Sequence, residues 1–235
     1  MSTVVTAAAV CMALGATATG SSGGAATDER SAEQLLDDAY RTMRSLTSVT
    51  IDGDTETLPT DGERMTSRLT TDLKNTCTYK SSRESGAVLE QIRIGKTDYV
   101  RLNRAYLDAW SGQDTPSAAE QKLWIKKPSS ESVRGDGLSD CTWSFTAFGK
   151  AKKSDPTTVD GRRAIALVVT DAKVEGGTYT FHVAAEGKPY LLKVTYRGPD
   201  FRTTTTFSGF DKPLSVDPPA KGRLLDLGGI GGIGG

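Results

Sequence analysis

The second half of the chain alternates apolar and polar positions at the period of a pleated sheet. Four runs between Arg163 and Phe210 carry the pattern: RAIALVVT, TYTFHVAA, PYLLKVTY and FRTTTTFSGF. Short turns such as Glu175-Gly176-Gly177 and Glu186-Gly187-Lys188-Pro189 separate them. Alternation puts successive side chains on opposite faces, so the runs predict strands, and connections this short make consecutive strands antiparallel neighbours. Ala164 to Val169 is apolar on both faces, which supplies a core on one side and either a packed layer or a cavity wall on the other.

Helical periodicity takes over near the start. Ser31-Ala32-Glu33-Gln34 has the form of a capping box, and Leu35, Leu36, Ala39, Tyr40, Met43 and Leu46 follow on one stripe, predicting an amphipathic helix of about four turns. Strand candidates follow at 49–58, 65–73, 76–80, 88–94 and 98–102, punctuated by Pro59-Thr60-Asp61-Gly62, Ser85-Gly86 and Gly95-Lys96. Residues 103–110 carry Tyr106, Leu107 and Trp110 at helical spacing, and Thr115-Pro116 reads as a cap followed by proline in a first turn. Trp124-Ile125 opens a short strand that ends at Pro128. Over 139–150, Leu138, Cys141, Phe145 and Phe148 share a helical face behind Ser139; a strand through Trp143, Phe145 and Ala147 is the competing assignment. Strands and few helices in one continuous run predict a single α+β domain over 31–219.

The ends differ in character. Residues 1–30 read as a signal peptide and disordered linker: a small, apolar stretch from Thr3 to Gly20 precedes a Ser/Gly stretch, with Ala16-Thr17-Ala18 as a cleavage site. The usual basic flank is missing, so either translation starts further upstream or the signal is weak; an Ala-rich cytoplasmic N-terminus is the alternative. Cys11 lies inside the apolar run after Ala8-Ala9-Val10, a poor lipobox, and Ser21-Ser22 stand where a lipobox cysteine would fall. Export without a lipid anchor is the expectation. Two cysteines then remain, Cys77 and Cys141, an even pair that reads as a disulfide, with two buried free thiols as the alternative. Residues 220–235 end in GGIGGIGG and predict a flexible tail. Gly229 to Gly234 matches a dinucleotide fingerprint by letters only, because no strand and helix flank it.

Charge and chemistry narrow the function. Lys plus Arg number 29 and Asp plus Glu 29, so no basic field for nucleic acid is present. Lys150 to Lys153 and Arg162-Arg163 read as solvated loops before they read as contacts for anionic head groups. The single histidine, His182, sits in a strand opposite Tyr179, Phe181 and Val183, and reads as a hydrogen-bonded structural residue. Neither a Gly-x-Ser-x-Gly elbow nor a His-Glu-x-x-His motif occurs. No catalytic residue, metal ligand or cofactor is assigned, and the chain is expected to bind rather than catalyse.

The order of elements resembles a known family. Asp98-Tyr99-Val100-Arg101, Tyr106 to Trp110, Lys122-Leu123-Trp124-Ile125, Gly187-Lys188-Pro189-Tyr190 and Phe207 to Pro219 are similar to segments of the LppX/LprG-type actinobacterial envelope lipoproteins, relatives of the LolA and LolB carriers. The resemblance spans Ser31 to Pro219. It implies a curved antiparallel sheet, a half-open barrel, with helices covering the concave face and an apolar cavity between. It also implies a lipid or acylated molecule as the partner, with a membrane surface or envelope proteins as further contacts. A non-transporting module that binds a protein or senses lipid is the alternative. Expected cavity residues are Val100, Leu102, Trp124, Phe145, Phe148, Leu167, Val169, Phe181 and Leu192. The poor lipobox departs from the family pattern and puts membrane attachment in doubt.

Overall fold

Two antiparallel meanders, joined where the last long strand returns to the first, make one sheet. The computed structural model describes residues 30–58, 62–111, 123–132, 137–145 and 149–226. The strands are β1 (Val49–Thr57), β2 (Arg64–Thr71), β3 (Thr76–Arg83), β4 (Val88–Ile94), β5 (Thr97–Leu102), β6 (Trp124–Pro128), β7 (Ala151–Val159), β8 (Arg162–Thr170), β9 (Thr178–Ala184), β10 (Leu191–Arg197), β11 (Phe201–Ser208) and β12 (Leu224–Asp226). Their order across the curved, open sheet is β12-β6-β5-β4-β3-β2-β1-β11-β10-β9-β8-β7. All four predicted strands of the second half are present.

Register divides the sheet into two unlike faces. Leu167, Phe181, Val194, Thr205, Gly53, Ser67 and their neighbours two residues away point to one side. The same side continues through Tyr79, Gln91, Val100 and Ile125. It holds most of the core: Ile51, Leu69, Leu167, Val169, Phe181 and Val183 are all buried. The opposite face is polar, with Arg68–Asp52, Arg64–Asp54 and Arg101–Glu90 ion pairs across neighbouring strands. Opposite signs face each other in these three pairs, as cross-strand pairs favour.

Helix α1 (Ala32–Arg44) begins at the predicted capping box: the Gln34 amide donates to Ser31 Oγ (3.1 Å) and the Ser31 amide to Gln34 Oε1 (2.9 Å). Its stripe of Leu35, Leu36, Ala39, Tyr40 and Met43 is buried against β7, β9 and β10. Helix α2 (Arg104–Ser111) is capped by Asn103, whose Oδ1 accepts from the Tyr106 amide at 2.9 Å. The cap proposed at Thr115-Pro116 lies outside the described residues.

Three expectations are corrected. Residues 139–145 are not helical. The Ser139 amide and carbonyl are both held by Gln91, Cys141 has a left-handed backbone (φ 62°), and its carbonyl accepts from Thr71 Oγ1. Backbone groups committed sideways cannot close i→i−4 bonds. Lys150 to Lys153 lead into edge strand β7 rather than a loop. Its exposed lysines, a register shift between Lys153 and Pro156, and the proline itself blunt the edge, and they also erase the alternation that would have announced a strand. Finally, Leu224 to Asp226 form β12, parallel to β6, where a flexible tail was expected; three residues are too few to leave a period in the sequence.

Candidate ligand cavity

The cover over the apolar face comes from α1 at one end and, across the middle, from the irregular segment 137–145. This strap runs across β4, β3 and β2 towards β11, and each crossing is fastened. At β4, Gln91 Nε2 donates to the Ser139 carbonyl (3.0 Å) while Gln91 Oε1 accepts from the Ser139 amide (2.7 Å). At β3, Cys141 is joined to Cys77 with a Cα–Cα distance of 5.5 Å. At β2, Thr71 Oγ1 donates to the Cys141 carbonyl. At β11, Phe145 packs on Phe207 with ring centroids 5.9 Å apart. The predicted disulfide is present and serves as the central fastening.

Gln91 is itself held by a buried ion pair. Arg93 Nε and Nη2 donate to the two oxygens of Asp98 at 2.7 and 2.6 Å, Gln91 Nε2 adds 3.0 Å and Ser132 Oγ 3.0 Å. Asp98 is 0% exposed. Burial by itself raises its carboxyl pKa; hydrogen bonds from Arg93 and Gln91 and the Arg93 charge more than offset this and hold it below the usual carboxylate value.

Between strap, helix and strands β9–β11 lies a cavity of about 310 Å³. Tyr179 and Phe181 from β9, Leu191, Val194 and Tyr196 from β10, and Phe201, Thr203, Thr205 and Phe207 from β11 line it; α1 adds Tyr40 and the strap Trp143, Ser144 and Phe145. The aromatic rings pack on one another in the wall: Tyr40–Phe181 at 6.0 Å, Tyr179–Phe181 at 6.0 Å, Tyr179–Tyr196 at 4.5 Å and Tyr196–Phe201 at 4.9 Å, with Trp143–Phe207 at 6.1 Å beneath the strap. Trp143 and Phe201 are each 42% exposed and mark its mouth. Among the described residues none that lines the cavity is charged. The phenols stay neutral as well: burial raises Tyr40, Tyr179 and Tyr196, and the Asp171 carboxylate raises the last two further.

The expected cavity residues scatter. Phe145 and Phe181 line this cavity, while Leu167 and Val169 are wholly buried in the core behind it. Val100 and Leu102 border a separate apolar cavity of about 220 Å³ with Leu89, Tyr106, Ile125, Lys127 and Leu138. Trp124 lies on the opposite face from Val100, under the Arg101 guanidinium at 4.6 Å. Leu192 belongs to a small cluster with Val159, Ala164 and Ala184. It leaves the cavity because a bulge between Leu191 and Lys193 turns it away from Leu191 and Val194. Phe148 lies outside the described residues. Alternation alone put Tyr179 with Phe181, and Phe201 with Thr203, Thr205 and Phe207. The contributions of Tyr40 and Trp143 depend on how helix and strap cross the sheet. His182 sits on the far face; its Nδ1 is buried without a hydrogen-bond partner among the described residues, contrary to expectation, and burial followed by the Lys193 charge lowers its pKa.

No family model and no curated protein sequence matches the chain. Solved structures do. LprF from Mycobacterium bovis superposes with a TM-score of 0.51 at 14% identity, covering 80% of this chain and 97% of that one. The chain shares the fold of LprF. Weaker likenesses are to LppX from Mycobacterium tuberculosis (TM-score 0.41, 15% identity, 79% and 99% covered) and to a LolA superfamily protein from Nitrosomonas europaea (0.29, 12%, 80% and 96%). An LppX/LprG-type, LolA-like fold is the one the residue resemblance implied. Among the described residues no helix is long and apolar enough to cross a membrane.

Proposed function

We propose that this is an exported envelope protein that binds the apolar part of a lipid or lipid-modified molecule beneath its strap, as a non-enzymatic carrier. The observation that carries this reading is the uncharged aromatic cavity of about 310 Å³ that opens to solvent between Trp143 and Phe201. Ligand sites are concave, mostly apolar and at least this large. An apolar space stays poorly hydrated, so filling it with hydrocarbon gains contact at little cost in displaced water. Each methylene buried contributes about 0.8 kcal/mol, which is what a carrier must replace when a chain leaves a bilayer. The disulfide suits an oxidising compartment outside the cytoplasm. The LprF-like fold supports the same reading.

Extraction of the purified protein with organic solvent, followed by mass spectrometry, tests it. The expected result is a hydrophobic molecule in stoichiometric amount, together with one-to-one binding of an uncharged anthracene-type probe to the emptied protein. A clean extract from a protein that also ignores the probe would refute the carrier role and leave a protein-binding module of the same fold.

A further inference from the structure

The chemistry of the cavity wall goes beyond "apolar" and, granted the carrier reading, names the class of ligand. A methylene takes up about the room of a water molecule in the liquid, ~30 Å³, so about 310 Å³ accepts one chain of roughly ten carbons. Two such chains joined to one glycerol would need about twice that volume, ~600 Å³. The second apolar cavity cannot take the other chain. It lies at β5, five strands away from β11, about 24 Å along the sheet at ~4.8 Å per strand, with the disulfide-held strap between.

Beside the aromatic wall the same face turns polar without turning ionic. Thr205 and Ser67 flank Gly53 from its two sides in the register of β11, β1 and β2. Gly53 leaves the floor between them bare; a Cβ there would meet Ser67 Oγ at 2.7 Å. Next along, Thr203 and Thr55 share a hydroxyl contact at 3.2 Å. Four small hydroxyl residues thus form a shelf continuous with the cavity through Thr203 and Thr205, which line both. Among the described residues that line this cavity none is a cation able to hold a carboxylate or phosphate, and moving an unpaired anion out of water is costly.

We propose that the preferred ligand is a single-chain amphiphile with an uncharged, hydroxyl-bearing head, a monoacyl ester, and not a free fatty acid or a diacyl lipid. The chain fills the aromatic cavity. The head lies on the shelf, exchanging hydrogen bonds with Thr205 and Ser67.

Displacement of the anthracene-type probe by decanoyl glycerol, decanoate and didecanoyl glycerol tests this at neutral pH. The monoester should displace the probe at about tenfold lower concentration than decanoate and more tightly than the diester. Ser67→Ala, outside the cavity lining, should weaken the monoester about fivefold, the worth of one hydrogen bond, with probe affinity unchanged; Thr205→Val should weaken the monoester in the same direction. Decanoate or the diester binding as tightly as the monoester, or both variants binding it like wild type, would overturn the assignment while the carrier reading stands. Failure of the probe itself to bind refutes the carrier reading, and this assignment with it.

Discussion

The two ends of the covered face use opposite chemistry. Around β9–β11, aromatic and aliphatic side chains from strand, helix and strap meet, the rings at edge-on and tilted angles, and leave a space unfilled. Around β3–β5, the same face is tied by a buried ion pair, an amide fork and a disulfide. Apolar contact is non-directional and tolerates a gap that a ligand can occupy. Buried polar groups are directional and must all be satisfied, so they fix the position of whatever they hold. One end is therefore built to hold the strap still, and the other to remain open beneath it.

That contrast predicts large stability losses at the polar end and selective binding losses at the aromatic end. The largest effect is expected for Asp98→Ala, which removes the bidentate partner of the buried Arg93 guanidinium: about 3–5 kcal/mol less stable in denaturant unfolding. Replacing both Cys77 and Cys141 with serine should cost about 4 kcal/mol by the same measurement, since the bridge closes a loop across 64 positions.

Acid separates the ends next. The Asp98 carboxyl is depressed in the folded state, so its stabilisation is complete above the unfolded value near 4 and is lost as pH falls through the lower folded value. Unfolding midpoints should fall below about pH 4, and Asp98→Asn should flatten that fall. The smallest change in stability belongs to Phe201→Ala at the mouth, within about 1 kcal/mol for a partly exposed ring, yet it should weaken probe binding several-fold. A variant at the polar end that abolished binding while leaving stability intact would break the comparison.

How far the residues announced this arrangement depended on the range of the interaction. Local signals served well: the Ser31 box, the Leu35 to Met43 stripe and the alternation from Arg163 to Phe207 all describe neighbours in sequence, and the structure contains each. The segment after Ser139 misled because Cys141 and Phe145 stand at helical spacing by coincidence. What decides its path is Gln91 and Thr71, distant in sequence, taking its backbone hydrogen bonds. The same limit applies to the cavity. Phe145 and Phe181 were legible as apolar wall positions, whereas the bulge that expels Leu192 and the crossing that brings in Trp143 are tertiary events.

The claim that the aromatic end holds an open ligand space is tested most directly by filling it. Val194 lines the cavity and is only partly buried, so Val194→Trp places an indole where the ligand chain would lie. Calorimetric titration should show one apolar probe bound per wild-type chain and none bound to the variant, with both proteins keeping the same thermal midpoint within a few degrees. Equal probe binding by wild type and variant, or none by either, would contradict it.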